Sequence, residues 1–259
     1  MSEVDVAEIQ IPYPEAQDLH LRIGVGACRL RIRPGDGAMW VSGSYRDPSG
    51  ALPCRVFQED GTVRITQEQN WSNILDRLGG FPAGFDLALG KAKPYALTIE
   101  TGASEASLDV GSLPIRRLEI KQGAGKVALD FSAPNPVEMS LLTLSNGASG
   151  IEMRNLANAN FAEMAVEGGA AAYSFDFGGE LLQNGRVRVS TGVSSVEIDV
   201  PASTAAKISS ETVLGGLDVG DGYMKKEGAF WTEAALAGKT PQLAIRVNVA
   251  LGSLKLRTR

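Results

Sequence analysis

A short pattern returns about every twenty residues along this chain: an alternating apolar stretch, a glycine with small neighbours, and a second alternating apolar stretch. The segments that carry it are 97–110, 118–131, 142–154, 164–177 and 187–200. The turn glycines are Gly102, Gly123, Gly147, Gly169, Gly192 and Gly215, spaced 21, 24, 22, 23 and 23 residues apart. A nearly constant repeat of this length indicates a stack of similar units, each contacting its neighbours, with insertions looped out.

Apolar and polar residues alternate within one unit. Leu118 and Ile120 precede a turn, and Val127, Leu129 and Phe131 follow it. A period of two predicts half-buried β-strands rather than helices. The sequence therefore predicts an all-β protein, a β-helix-like stack or solenoid of about seven or eight rungs.

We expect two portions within one continuous structural unit. Residues 1–95 form a strand-rich N-terminal portion with a first copy of the repeat at 18–33, and residues 96–259 form the repeat portion. The stretch 68–95 breaks the pattern and carries several aromatic residues. It is predicted to cap the open end of the stack, because a terminal rung exposes unpaired strand edges. An aromatic loop that grips a ligand is the alternative. A second insertion at 222–242 precedes a last rung at 243–257.

Composition argues against several classes of function. His20 is the single histidine, so a histidine-based metal site or a Ser-His-Asp triad is untenable. Cys28 and Cys54 lack the spacing of a zinc site and are expected to be free thiols. The net charge is −5 and the basic residues are scattered, which argues against a nucleic-acid partner.

The sequence has no segment that predicts a membrane location. No run of 18 apolar residues indicates a membrane span, and the acidic N-terminus does not resemble a signal peptide. We therefore expect a soluble chain without an export signal. Such a chain is cytoplasmic unless a partner holds it at the envelope.

Several short motifs recur in a fixed order: Leu108-Asp109-Val110, Gly123-Ala124-Gly125, Leu129-Asp130-Phe131, Asn155-Leu156, Gly168-Gly169-Ala170 and Asp199-Val200-Pro201. In this order they resemble the bacterial toast-rack or "putative adhesin" domains. These include C-terminal domains of membrane proteins in the cell-wall-antibiotic-response and phage-shock systems. The resemblance covers most of residues 18–220. It implies a single-stranded, right-handed β-helix-like stack with a role in protein interaction or ligand sensing at the envelope, and no catalytic residue.

The candidate site is a ladder of carboxylates. The central residue of the second strand in six successive units is acidic: Asp109, Asp130, Glu152, Asp176, Asp199 and Asp218. Because stacked strands lie about 4.8 Å apart, these residues are expected to form one row on an outer face. The row has three interpretations: a solvated face reused by the repeat, a site for Ca²⁺ or another hard cation, or a carboxylate pair for glycan cleavage.

The sequence favours a non-catalytic binding or scaffold module, linked to envelope-stress sensing or adhesion, with an unidentified protein or glycan partner. The alternatives are a carbohydrate-active β-helix enzyme that uses the outward carboxylates, and a cation-binding β-stack. No cofactor and no resident metal are expected. A parallel stack further predicts one buried column made of Ile99, Ile120, Leu144, Val166, Val189 and Ile208.

Overall fold

The computed structural model of the protein describes residues 6–48, 50, 52–67 and 83–259. Within these residues the chain forms, in order, β1 (Val6–Ile11), β2 (His20–Val25), β3 (Cys28–Pro34), β4 (Val41–Arg46), β5 (Cys54–Glu59), β6 (Thr62–Gln67), β7 (Ala83–Leu89), β8 (Tyr95–Asp109), β9 (Ile115–Asp130), β10 (Met139–Arg154), a 3-10 turn (Leu156–Ala159), β11 (Phe161–Asp176), β12 (Gly185–Val200), β13 (Ala205–Val219), β14 (Tyr223–Lys226), β15 (Ala229–Thr232), α1 (Glu233–Leu236) and β16 (Gln242–Thr258). None of the described helices is long and apolar enough to cross a membrane.

Long parallel strands build the stack. Seven strands of 15 to 17 residues pair side by side in the order β8-β9-β10-β11-β12-β16-β13. Each contains one copy of the repeat, so the predicted all-β stack is confirmed. We call the strand portions before the turn glycines the first half-sheet and the portions after them the second half-sheet.

Each long strand changes the phase of its alternation at the turn. In β9 the buried positions are Ile120 and Gln122 before the turn, and Val127 and Leu129 after it. The change from even to odd numbers turns the inner faces of both halves toward a common interior. Apolar side chains from the two halves accordingly belong to one continuous core.

The turn glycines stack directly on one another. A side-chain carbon on Gly147 would lie 2.6 Å from the carbonyl oxygen of Gly123, and one on Gly123 would lie 2.9 Å from that of Gly102. The repeat keeps glycine here because neighbouring backbones leave no room for a side chain. The assignment of Gly215 to this series is wrong. Its register partner is Gly252, which lies beside Ser194, two residues past the turn.

The predicted buried column is correct for five of its six members. Register partners in successive strands are Ile99, Ile120, Leu144, Val166 and Val189. Val247 of β16 continues this column. Ile208 is buried but lies in the adjacent column, where its partner is Ile245.

The strand that is last in the sequence is an interior strand of the sheet. β16 pairs in parallel with β12 on one side and with β13 on the other. The antiparallel hairpin β14–β15 follows β13 and forms the end of the stack. The insertion at 222–242 therefore lies at one end of the stack, and the last rung lies inside it.

Shorter strands form the other end. β2 and β3 pair in parallel with the two halves of β8, which confirms the first copy of the repeat at 18–33. β6 and β7 add a further layer, and antiparallel strands lie against them: β5 on β6, and β4 then β1 on β7. Of the predicted cap at 68–95, residues 68–82 lie outside the described residues, and 83–89 form β7.

Asparagine side chains hold the connections between rungs. Asn135 is buried, and its Nδ2 donates to the carbonyl oxygens of Ile115 at 2.8 Å and Ala159 at 3.2 Å. Asn158 donates in the same way to the carbonyl of Phe131 at 2.9 Å. These bonds satisfy backbone acceptors that lie outside the strand ladders.

A candidate binding groove on the second half-sheet

The six predicted carboxylates do not form one row. One row contains four of them: Asp109, Asp130, Asp176 and Asp199. Arg154 occupies the position between Asp130 and Asp176, and Arg257 lies beside Asp199. Glu152 and Asp218 lie two residues nearer the turn, in a second row that also contains Glu197 and Lys255. The predicted ladder therefore splits into two shorter rows, each with basic members.

Carboxylates of the first row fix the connections that follow their strands. Asp109 Oδ1 accepts a hydrogen bond from Ser132 Oγ at 2.6 Å. Asp130 Oδ1 accepts one from Asn155 Nδ2 at 2.8 Å. Oxygens that are already hydrogen-bonded are less available to an ion, so these contacts favour a structural role.

Basic residues from the end of β16 approach the acidic rows. Arg259 donates to Asp176 Oδ1 at 2.5 Å, and Arg257 donates to Asp218 Oδ2 at 2.5 Å. The Arg257 contact holds the pKa of Asp218 below its ordinary value. The described part of the chain contains no group of three or more His, Cys, Asp or Glu side chains placed to hold a metal ion. Cation binding by the predicted residues stays a prediction.

Asp199 has a different environment. Burial raises the pKa of its carboxyl above the ordinary value, and repulsion from Glu197 and Asp176 raises it further. Arg259 and Lys255 oppose this rise. Asp199 is thus a carboxylate whose ionised form is disfavoured by its neighbours.

A groove runs across the strands just on the turn side of these rows. It encloses about 780 Å³ and extends from β3 to β12. Small residues that line it are Ser107, Ala128, Gly150, Ala172, Ser174 and Ser195. Arg29, Arg31, Lys126 and Glu105 line its β3 end, and Glu152 and Glu197 line its other part. Of the six predicted site residues, Glu152 lines the groove.

The charges around the groove are available to a ligand. Arg29 pairs with Glu105 at 3.5 Å, and Lys255 pairs with Glu197 at 3.0 Å. Exposed ion pairs of this kind contribute only about 0–1 kcal/mol each to stability. Breaking one to form a contact with a ligand therefore destabilises the protein little. Lys126 has no ion pair within the described residues.

The sequence contains a signal for this groove in the length of the side chains that follow each turn. The position three residues after the turn glycine is Glu105 and Lys126 in the first two units. It is Gly150, Ala172 and Ser195 in the next three. Where the outward side chains of one row change from long to short across adjacent strands, the surface has a depression.

A second depression lies on the outer face of the first half-sheet, close to the turn. It encloses about 820 Å³ and is lined by Gln67, Glu100, Lys121, Asn146 and Glu167, among others. Lys121 Nζ lies 2.9 Å from Glu100 Oε1, and this hydrogen bond is the main cause that lowers the pKa of Glu100. The two charged groups Lys121 and Glu100 thus already bind each other.

The titratable groups of the N-terminal portion are poorly suited to covalent chemistry. Cys28 and Cys54 are free, and burial raises the pKa of their thiols to about 12 and about 11. Such thiols are not ionised at neutral pH and are weak nucleophiles. His20 Nε2 lies 2.9 Å from Thr98 Oγ1, and burial is the main cause that lowers its pKa.

Comparison with known proteins places this architecture in a family. The family model for the N-terminal domain of toast_rack, DUF2154, matches residues 1–140. The chain belongs to the toast-rack family. The toast-rack match covers the N-terminal strands and the first two long strands, and it enters β10. This confirms the resemblance read from the motifs.

One solved structure shares the toast-rack protein's fold, and a second aligns more weakly. A putative cell adhesion protein from Clostridium sporogenes ATCC 15579 aligns with a TM-score of 0.52 at 15% identity, covering 99% of this chain and 100% of that one. A putative adhesin from Bacteroides fragilis NCTC 9343 aligns with a TM-score of 0.44 at 9% identity, covering 99% and 98%. No curated protein matches the chain. At 15% identity, the likeness to the Clostridium sporogenes protein shows the fold alone.

Proposed function

We propose that this toast-rack protein is a non-catalytic binding module that holds an extended ligand in the groove of the second half-sheet. Its biological role is adhesion or envelope-stress sensing, with a glycan or an extended peptide of a partner protein as the ligand. The name of the Clostridium sporogenes protein as a putative cell adhesion protein is in line with this role.

The observation that carries the proposal is the shape of the groove. It crosses six adjacent strands, β3 and β8 to β12, or five inter-strand spacings, which is roughly 24 Å at about 4.8 Å per spacing. A continuous open groove of this length suits a polymer better than a compact metabolite. Three cations against one carboxylate at the β3 end, and two carboxylates in the other part, favour one direction of the ligand.

The test fills the groove. Ala172 is an exposed residue on its lining, so Ala172→Tyr adds bulk without touching the core. The control Ala165→Tyr places the same side chain on the outer face of the first half-sheet. Wild type and control are expected to capture the same ligands from glycan and peptide arrays, and Ala172→Tyr is expected to lose them. The proposal fails if Ala172→Tyr captures every ligand that the wild type captures.

The enzyme alternative rests on one pair of residues. Asp176 and Asp199 are register partners on adjacent strands, and their environments differ: Arg259 contacts Asp176, whereas the pKa of Asp199 is raised. Two neighbouring carboxylates, one of them with a raised pKa, are the arrangement of a glycosidase acid and nucleophile. Release of reducing sugar from a polysaccharide by the wild type, and not by Asp199→Asn, would favour this alternative over a binding module.

A further inference from the structure

Unpaired cations collect on the outer face of the first half-sheet where the stack ends. We call this surface the C-terminal cationic face and define it by Arg188, Arg246, Lys207 and Lys226, with Trp231 and Met224 between and beside them. The five strands β12, β16, β13, β15 and β14 carry these residues in spatial order. The face stands out because the whole chain has a net charge of −5.

Strand register places these side chains on one side of the sheet. Arg188 of β12 is the direct partner of Arg246 of β16. Lys207 of β13 is the partner of Trp231, and Trp231 is the partner of Met224. Partners across a sheet share a face, so the cations and the two apolar side chains form one flat surface.

The cations of this face lack the ion-pair partners that several cations elsewhere on the same half-sheet have. Toward the other end, Arg22 lies 3.8 Å from Glu100, and Lys121 lies 2.9 Å from the same carboxylate. In the part of the chain that the structure describes, none of the four cations of the face makes an ion pair. Glu163 and Glu167 lie diagonally from Arg188, and Glu211 lies diagonally from Arg246. Of these carboxylates, Glu163 pairs with Arg186 at 2.6 Å.

Arg188 and Arg246 therefore face each other as like charges on neighbouring strands. Such a pair opposes folding, and an anion placed between the two guanidinium groups removes the repulsion. The arginine pair therefore destabilises the fold locally, and a bound anionic group would replace this repulsion by a favourable contact.

The two apolar side chains of the face differ: contacts hold Trp231 in place, whereas Met224 is exposed. Trp231 is half-buried, and its Nε1 donates to the carbonyl of Lys226 at 3.1 Å. Lys207 Nζ lies 4.7 Å from the centre of the Trp231 ring. Met224 projects into solvent with 57% of its surface exposed. The face thus combines flexible cations with a fixed tryptophan and an exposed methionine.

We propose that the C-terminal cationic face docks onto an anionic phospholipid surface. Lysine and arginine side chains extend their charged ends toward lipid phosphates while tryptophan occupies the polar–apolar boundary of the bilayer. Cations spread over four of the five strands, on one face of a sheet, match the array of headgroups on a bilayer surface. The inference is independent of the groove, which lies on the other half-sheet.

Vesicle co-sedimentation tests the proposal. The wild type is expected to bind phosphatidylcholine vesicles that contain about 30 mol% phosphatidylglycerol, to bind pure phosphatidylcholine vesicles poorly, and to dissociate as salt is raised. Each cation near an anionic bilayer contributes about fivefold to the partition coefficient. Arg188→Ser with Arg246→Ser should therefore lower it by about 25-fold.

A matched variant separates docking from general charge. Arg22 and Arg64 are also register partners on the first half-sheet, but Glu100 contacts Arg22. Arg22→Ser with Arg64→Ser removes the same charge and is expected to bind vesicles like the wild type. Thermal melts check that both double variants are folded.

Three results would overturn the proposal. The first is equal binding of the wild type to neutral and anionic vesicles, and the second is an equal loss in both double variants. The third is binding to soluble polyglutamate or heparin without binding to anionic vesicles, which would assign the face to a soluble polyanion.

Discussion

Replacing Gly147 by alanine adds one methyl group where the turn glycines stack, and so tests how closely the neighbouring backbones approach. The new carbon would lie 2.6 Å from the carbonyl oxygen of Gly123, whereas ordinary contact begins near 3.4 Å. The two backbones must separate by roughly 0.8 Å, the difference of these values. Both belong to the hydrogen-bonded ladder between β9 and β10, so neither can move alone. Overpacking of this kind costs about 1–3 kcal/mol, and we expect about 2 kcal/mol for Gly147→Ala.

Thermal and urea unfolding measure this cost. For chains of this size, about 2 kcal/mol corresponds to a fall in Tm of roughly 4–8 °C. The control is Gly150→Ala on the same strand, where the nearest atom to the new carbon is Lys126 Cγ at 3.8 Å. The control is expected to match the wild type or to gain up to about 1 kcal/mol, because alanine restricts the unfolded chain. Equal melting of the two variants would show that the glycine column is misplaced.

The other predictions concern single side chains and the acidic rows. Asn135→Ala should lower the free energy of unfolding by about 1–3 kcal/mol, because two buried carbonyls lose their donor; a change below about 0.5 kcal/mol in urea melts would contradict this. Asp199→Asn should raise stability at pH 7, because it removes a partly buried charge that Glu197 and Asp176 also repel; since solvent screens these charges, the gain is roughly 0.3–0.5 kcal/mol. The folded pKa of Asp199 lies above the unfolded value, so the wild type gains stability as pH falls through the folded pKa. The advantage of the variant should therefore shrink at acidic pH, and a growing advantage would refute the assigned cause. Millimolar Ca²⁺ should leave the Tm of the wild type unchanged; a rise that disappears in the triple variant Asp130→Asn, Glu152→Gln, Asp176→Asn would make the acidic rows a cation site.

Local pattern was sufficient to predict the rungs and their parallel stacking. Alternation predicts strands, and a regular spacing of Gly102, Gly123 and Gly147 predicts that successive strands align at their turns. Both follow from residues close in sequence. The family resemblance depended on the same short motifs.

The prediction of a single acidic row was wrong because it ignored how many residues separate each carboxylate from its turn glycine. Asp130 is seven residues after Gly123, but Glu152 is five residues after Gly147, so the two carboxylates belong to different rows. The seventh residue after Gly147 is Arg154, which occupies the expected position. A two-residue offset keeps a side chain on the same face and moves it along the strand by about 6.6 Å.

The place of β16 could not be predicted from the sequence. Its alternation is that of any other rung, so it satisfies the same pairing rules on either side of β13. Which neighbours a rung selects depends on contacts between segments far apart in the chain. The basic residues Arg257 and Arg259 consequently reach acidic rows that chain order places at a distance.

The insertion of β16 between β12 and β13 has a consequence for the order of folding. A solenoid whose rungs follow chain order can grow by adding one unit to the last. Here β13 has no parallel neighbour until a strand about forty residues later arrives, since Ile208 pairs with Ile245. The first long strands can pair one after another in chain order, but β13, β15 and β16 must assemble together. Hydrogen exchange should therefore show β13, β15 and β16 opening as one cooperative unit, separate from β8 to β11.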